Sequence, residues 1–197
     1  MASTGDYLDL PLREFLDRMA AEEPTPAGGS AAAIGVAMAS ALIAKVARVS
    51  TDWPDARAVV AQADRLSRRI APLAQSDAEA YEEALAALHL PEQLEPEVKN
   101  MALGQVLTRA AEIPLAIAEA GADVACLAAE AADRGAPDRR GDAITAALLA
   151  EAAARAAANL VAVNLTVTPD DERLLRAEAV TSVASAAARE ALRSVPT

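Results

Sequence analysis

The chain has 197 residues, of which 53% are hydrophobic and 2% aromatic, and its formal net charge is -11. This length fits a single domain with its own core, and the high apolar fraction excludes intrinsic disorder. The acidic balance argues against a nucleic-acid-binding protein, and one cysteine with one histidine excludes the usual four-ligand structural zinc site.

Alanine dominates the apolar residues and favours helices over strands, so the composition predicts an all-α fold. Proline and glycine breaks divide the chain into about five to six long helices. The predicted helices cover residues 10–21, 30–50, 56–89 with a kink or split at Pro72, 97–133 with a kink at Pro114, 142–165 and 169–194.

Residues 27–44 contain no charge and approach the length of a membrane span. Most of them are Ala, Gly and Ser, which insert weakly, so we interpret the segment as the central helix of a soluble bundle. The amino-terminal residues lack the basic start and apolar stretch of a signal peptide, and no polybasic segment predicts membrane binding. We therefore expect a cytoplasmic protein.

The turn PTPAGGSAAA at residues 24–33 precedes this central helix. Its glycines would leave backbone N–H groups free at a helix amino end, where they can bind a carboxylate, a phosphate or a developing oxyanion. The alternative is a tight turn in which Gly28 and Gly29 permit unusual dihedral angles and Ser30 caps the helix.

The segment SDAEAY follows the break at Pro72. Asp77 and Tyr81 are four residues apart and share a helix face, and alanines surround them. A partly buried Asp77 would have a raised pKa that suits a general acid or base near neutral pH. The alternative is that Asp77 caps the helix that restarts after Pro72.

The loop GAPDRRGD precedes the apolar helix AITAALLAEAAARAAANLVAVNL. Asp142 is predicted to cap this helix, and Arg139 or Arg140 could bind an anionic ligand tail. Asn159 and Asn164 lie within the helix, where a buried amide must find partners across helices or in a ligand.

These landmarks, in this order, resemble the cyclodeaminase/cyclohydrolase family, which includes the carboxy-terminal half of formiminotransferase-cyclodeaminase and bacterial methenyltetrahydrofolate cyclohydrolases. The resemblance extends from LPLREFLDRMA through PTPAGGSAAA and DAEAY to the NLVAVNL segment. It implies a single all-α domain over residues 1–197, a bundle of largely antiparallel helices that assembles as a homodimer. It also implies a tetrahydrofolate derivative as the substrate, with no metal or tightly bound cofactor. Both family reactions pass through a tetrahedral one-carbon centre and need a group that exchanges a proton.

The resemblance assigns the general base or acid to Asp77. It assigns substrate binding to Gly28, Gly29, Ser30 and Asp142. We expect four further residues to complete the substrate site: Tyr81, Arg139, Arg140 and Asn159. The sequence departs from the family at the glycine turn, where Ala27 replaces a glycine, and in the loop before residue 142, where Asn and Ser positions hold Ala136, Asp138 and Gly141.

Three functions follow from the residues and the resemblance. The first is cyclodeamination of 5-formiminotetrahydrofolate, or hydrolysis of 5,10-methenyltetrahydrofolate. The altered loop motivates a second, in which the same fold catalyses a different cyclisation or dehydration. A third is a helical protein that binds a ligand or assembles without catalysis.

Overall fold

A computed structural model describes residues 5–89, 95–166 and 168–193 of the chain. Within these ranges there are eight α-helices, two short 3₁₀ turns and no strand, which confirms the all-α prediction. The helices are α1 Leu12–Met19, α2 Gly28–Val49, α3 Ala56–Ile70, α4 Leu73–Leu88, α5 Pro96–Ala110, α6 Glu112–Arg134, α7 Arg140–Asn164 and α8 Glu172–Arg193.

Two of the predicted long helices are each divided in two. Pro72 separates α3 from α4, as predicted, because a proline cannot continue the hydrogen bonding of the preceding helix. The disruption predicted at Pro114 is a complete break, which lies at Ala111. Pro114 occupies the first turn of α6 and cannot donate a hydrogen bond to the carbonyl oxygen of Ala110, the last residue of α5.

Helices α2, α6 and α7 form the centre of the bundle, with α8 packed on α6 and α7. Their buried surfaces are largely alanine, which allows the backbones to approach closely. Gly121 of α6 shows how close: an added Cβ there would lie 2.8 Å from the Ala154 Cβ and 3.1 Å from the Ala150 carbonyl oxygen. Gly121 therefore permits the α6–α7 crossing and does not interrupt α6.

Helices α2 and α7 run antiparallel, side by side. An added Cβ at Gly35 would contact Ala153, while Lys45 near the end of α2 pairs with Asp142 at the start of α7. The amino end of α2 consequently lies beside the carboxyl end of α7.

By length and composition, Gly28–Val49 and Pro137–Asn164 are each apolar enough to cross a membrane. The most apolar 18-residue stretch of Gly28–Val49 is 61% buried inside the bundle, and that of Pro137–Asn164 is 39% buried. Helix α2 is thus a core helix, as predicted, whereas α7 keeps more of its apolar stretch at the surface.

Candidate active site at the amino end of α2

The Asp77 carboxylate on α4 lies directly against the first turn of α2. The Ser30 backbone N–H donates a hydrogen bond to it. A Cβ added to Gly29 would overlap both carboxylate oxygens and the Cγ of Asp77. Gly29 is therefore required for this approach because any side chain at residue 29 would displace Asp77.

Two side-chain hydrogen bonds connect the proline-glycine turn and α2 to α4. The buried Ser30 hydroxyl donates to the Ala74 carbonyl oxygen at 2.6 Å, and the Thr25 hydroxyl donates to Glu82 Oε1 at 2.7 Å. The alternative that Ser30 caps α2 is wrong: α2 begins at Gly28, so Ser30 lies inside the first turn. Its hydroxyl instead sets the distance between the two helices.

The environment of Asp77 favours its neutral form. Burial raises the pKa of its carboxyl from 3.8 to about 6, and the hydrogen bond from Ser30 opposes part of that rise. A pKa near 6 allows the group to accept and return a proton close to neutral pH. The alternative in which Asp77 caps α4 in solvent is wrong, because the side chain faces α2 and is half-buried.

A cleft of about 190 Å³ opens beside Asp77. Helices α2, α4 and α7, the end of α5 and the proline-glycine turn all contribute to its walls. The lining residues are Pro24, Ala27, Gly28, Gly29, Asp77, Tyr81, Ala84, Ala110, Leu160, Val163 and Asn164. A carboxylic acid therefore faces a small, mostly apolar cleft beside a helix amino end, where N–H groups and the helix dipole favour negative charge.

Four of the predicted site residues share this cleft: Gly28, Gly29, Asp77 and Tyr81. Tyr81 lies one turn from Asp77 on α4, lines the cleft and is 46% exposed. Larger cavities occur elsewhere, such as one of about 530 Å³ around Trp53, but Asp77 does not line it.

Asp142, Arg139 and Arg140 lie at the opposite end of α2. Lys45 Nζ contacts Asp142 Oδ2 at 2.9 Å, and that hydrogen bond holds the pKa of Asp142 below its usual value. At about 1.5 Å per helical residue, the length of α2 between Gly28 and Lys45 is about 25 Å. Within one chain, Asp142, Arg139 and Arg140 therefore form a second group, separate from the cleft beside Asp77.

The side chains of this second group have local partners. Arg140 Nε donates to the Ala132 carbonyl oxygen at 2.9 Å, and Arg139 contacts Asp138 at 3.3 Å. The prediction that Asp142 caps α7 is wrong, because the helix begins two residues earlier, at Arg140, after a 3₁₀ turn over Pro137–Arg139.

Asn159 does not line the cleft; it lies on the exposed face of α7. Asn164 lines it instead, and its Nδ2 donates to the Ala110 carbonyl oxygen at 3.2 Å. The five-residue spacing places the two amides about 140° apart around the helix. The sequence signal for Asn164 was the same as for Asn159, a polar amide in an apolar helix, and only the packing of α7 distinguishes them.

In the described ranges, no three His, Cys, Asp or Glu side chains converge to form a metal site.

Comparisons with known proteins agree with this architecture. The profile of the formiminotransferase-cyclodeaminase family matches residues 11–188. A methenyltetrahydrofolate cyclohydrolase from Methylorubrum extorquens is 31% identical over 188 residues, covering 89% of this chain and 90% of the relative. The crystal structure of formiminotetrahydrofolate cyclodeaminase from Thermotoga maritima has the same fold, with a TM-score of 0.85, 24% identity, and coverage of 95% of this chain and 96% of that one. The chain belongs to the formiminotransferase-cyclodeaminase family.

Proposed function

We propose that this protein is a folate one-carbon enzyme that hydrolyses 5,10-methenyltetrahydrofolate, with Asp77 as its general base and acid. The observation that carries the proposal is the placement of Asp77, a carboxyl group with a pKa of about 6 facing a cleft beside the amino end of α2. The relative that is 31% identical along nearly the full length of both proteins is named for this reaction, which supports the choice of substrate.

In the proposed reaction, ionised Asp77 removes a proton from water as the water oxygen bonds to the cationic methenyl carbon. The carbon becomes tetrahedral and carries a hydroxyl group. The bond between this carbon and N5 then breaks, its electron pair goes to N5, and Asp77 returns its proton there. The hydroxyl proton passes to solvent, which leaves the 10-formyl product and one net proton.

The amino end of α2 would donate hydrogen bonds to the hydroxyl oxygen of the tetrahedral centre and favour the loss of its proton. The first N–H groups of a helix have no partner within the helix, and its dipole adds positive potential. Gly28 and Gly29 line the cleft beside Asp77 and would supply these donors without a side chain blocking access.

A second candidate is the cyclodeamination of 5-formiminotetrahydrofolate, and the family match favours it. Here N10 would attack the formimino carbon while Asp77 accepts the N10 proton. The tetrahedral centre would then expel ammonia once the amino group is protonated, leaving the methenyl product. In this reaction too, Asp77 must accept a proton, so one site could serve either reaction.

We further propose that the working form is a cytoplasmic homodimer joined through α2 and α7. Three apolar side chains support this seam: Met38 on α2 is 50% exposed, and Leu148 and Val163 on α7 are 42% and 56% exposed. Such an apolar surface on adjacent helices is typical of an interface. Its occupant would be a second copy because a two-fold axis makes such a patch self-complementary.

A two-fold axis perpendicular to α2 would also bring the two groups of predicted site residues together. Such an axis makes the α2 helices of the two chains antiparallel, so the Asp142 end of one chain would lie near the Asp77 cleft of the other. Arg139 or Arg140 could then pair with the carboxylates of the folate tail, and Asn159 on the exposed face of α7 would contact the partner chain or the substrate. Proton transfer and water addition need neither a metal ion nor a tightly bound cofactor. We therefore expect the site to bind the folate substrate alone.

The test is an absorbance assay of methenyltetrahydrofolate with purified protein. Loss of the methenyl absorbance above the spontaneous rate indicates the cyclohydrolase, whereas its appearance from 5-formiminotetrahydrofolate indicates the cyclodeaminase. Turnover of neither folate by the wild type would contradict the proposal and favour a repurposed enzyme. If, in addition, folate bound equally well to the wild type and Asp77→Asn, a binding protein would be the better explanation.

A further inference from the structure

One wall of the cleft is formed by α7 and the end of α5. Leu160 and Val163 of α7 and Ala110 of α5 make it apolar, and Asn164 is the polar side chain that this wall contributes within the described residues. Asn164 occupies the last residue of α7, and its side chain is half-buried. An amide retained in such surroundings needs hydrogen-bond partners.

The orientation of this amide follows from its partner. Its Nδ2 lies 3.2 Å from the Ala110 carbonyl oxygen, and a carbonyl oxygen can only accept a hydrogen bond. The nitrogen of Asn164 must therefore face Ala110, which leaves Oδ1 as an acceptor directed away from that contact.

The partner is itself held in place. Arg173 of α8 donates to the Thr108 carbonyl oxygen at 2.7 Å, so side chains from α7 and α8 bind two carbonyl groups in the last turn of α5. Two hydrogen bonds from the Arg173 guanidinium to the Asp171 carboxylate, at 2.8 and 2.7 Å, fix Arg173 in turn. The end of α5 is thus fixed, and with it the direction of the Asn164 amide.

From this geometry we infer that Asn164 is a substrate-binding residue, whose Oδ1 accepts a hydrogen bond from a ring or amino N–H of the folate while the reacting carbon lies beside Asp77. The inference rests on the proposed function and adds a specific contact to it. A neutral amide suits this position because it accepts a hydrogen bond without placing a second negative charge beside Asp77. The partner of Oδ1 is thus an N–H group of the bound folate that faces the α7 wall.

The test uses the full chain and compares Asn164→Ala with the wild type on methenyltetrahydrofolate. Loss of one hydrogen bond to the substrate should raise KM by about three- to tenfold. The pH midpoint of kcat should stay unchanged because Asp77 keeps its surroundings. Asn100→Ala is the matched control, since Asn100 is an exposed asparagine on α5 outside the cleft, and it should leave KM unchanged.

A second variant, Asn164→Asp, tests proximity to Asp77 independently of KM. A carboxylate within the same cleft should shift the pH midpoint of kcat upwards, because a nearby like charge favours the protonated form of Asp77. Asp77 and Tyr81 are the titratable groups that line the described cleft, so the added charge would act mainly on Asp77.

The outcomes separate the inference from the function on which it rests. If the wild type turns over methenyltetrahydrofolate but Asn164→Ala changes only the melting temperature, Asn164 merely anchors α5 and the inference is wrong. Binding of 5-formyltetrahydrofolate, a stable folate, provides the second measurement and should weaken by a similar factor in Asn164→Ala. If the wild type neither converts nor binds a folate, the proposed function fails, and the inference fails with it.

Discussion

At the scale of single residues, the contact between Gly29 and Asp77 decides whether the site can form. The glycine turn and the SDAEAY segment could each be identified from the sequence because polar and glycine residues stand out in an alanine-rich chain. Their contact could not, since no local pattern specifies that an aspartate on α4 meets a glycine on α2. The packing of Ser30 against Ala74 creates that contact.

Gly29→Ala should abolish most activity while the chain still folds. The new methyl group would overlap the Asp77 carboxylate, so the acid would be pushed out of position and kcat should fall at least about 100-fold, as expected for loss of a general acid-base group. Gly104→Ala on α5 is the control because an added Cβ there meets nothing within 4 Å. Wild-type kcat in Gly29→Ala would show that this close approach has no catalytic role.

Asp77 should also make the folded protein less stable as the pH rises. Its folded pKa, about 6, exceeds the ordinary value of 3.8, so the folded state binds more protons between these values and the free energy of unfolding falls as pH increases through them. Allowing for partial exposure to solvent, we expect a loss of about 1–2 kcal/mol by pH 7. Urea denaturation at pH 4.5 and pH 7.5 should show this loss in the wild type and a smaller one in Asp77→Asn. An equal pH dependence of stability in both proteins would mean that Asp77 does not cause it.

At the scale of helices, small residues determine how closely the elements pack. The break at Pro72 follows from the sequence because a proline cannot continue a helix. The break at Ala111 follows from Pro114, which cannot donate a hydrogen bond to the Ala110 carbonyl oxygen. Side chains of α7 and α8 bind the end of α5 instead. The family resemblance grouped Asp142 with Asp77, whereas within one chain the antiparallel packing of α2 and α7 places them at opposite ends of α2.

Two glycine-to-alanine substitutions should change stability in opposite directions. Gly104→Ala should stabilise α5 by up to about 1 kcal/mol because alanine is the better helix former. Gly121→Ala should make the protein up to about 2 kcal/mol less stable, since its Cβ would collide with Ala154 and overpacking outweighs the gain in helix propensity. Thermal and urea denaturation of both variants measure these effects. Equal stabilisation would show that α6 and α7 have room to separate.

At the scale of the whole molecule, the apolar face of α2 and α7 should bind a second copy of the chain. Leu148→Glu would place a charge within this face and should convert a dimer into a monomer with little turnover, because the proposed site needs both chains. Leu175→Glu on α8 is the matched control, since Leu175 is 73% exposed and lies away from that face. Light scattering coupled to gel filtration measures the mass. A wild-type monomer with full activity would contradict the proposed assembly.

The central claim is that Asp77 exchanges the proton in folate turnover, and the pH dependence of kcat for methenyltetrahydrofolate hydrolysis tests it most directly. Because Asp77 must be ionised to accept a proton from water, wild-type kcat, corrected for the spontaneous rate, should rise with pH through a midpoint near 6. Asp77→Asn should lose both the midpoint and at least about 99% of kcat. An Asp77→Asn enzyme that kept the wild-type rate and midpoint would contradict the claim.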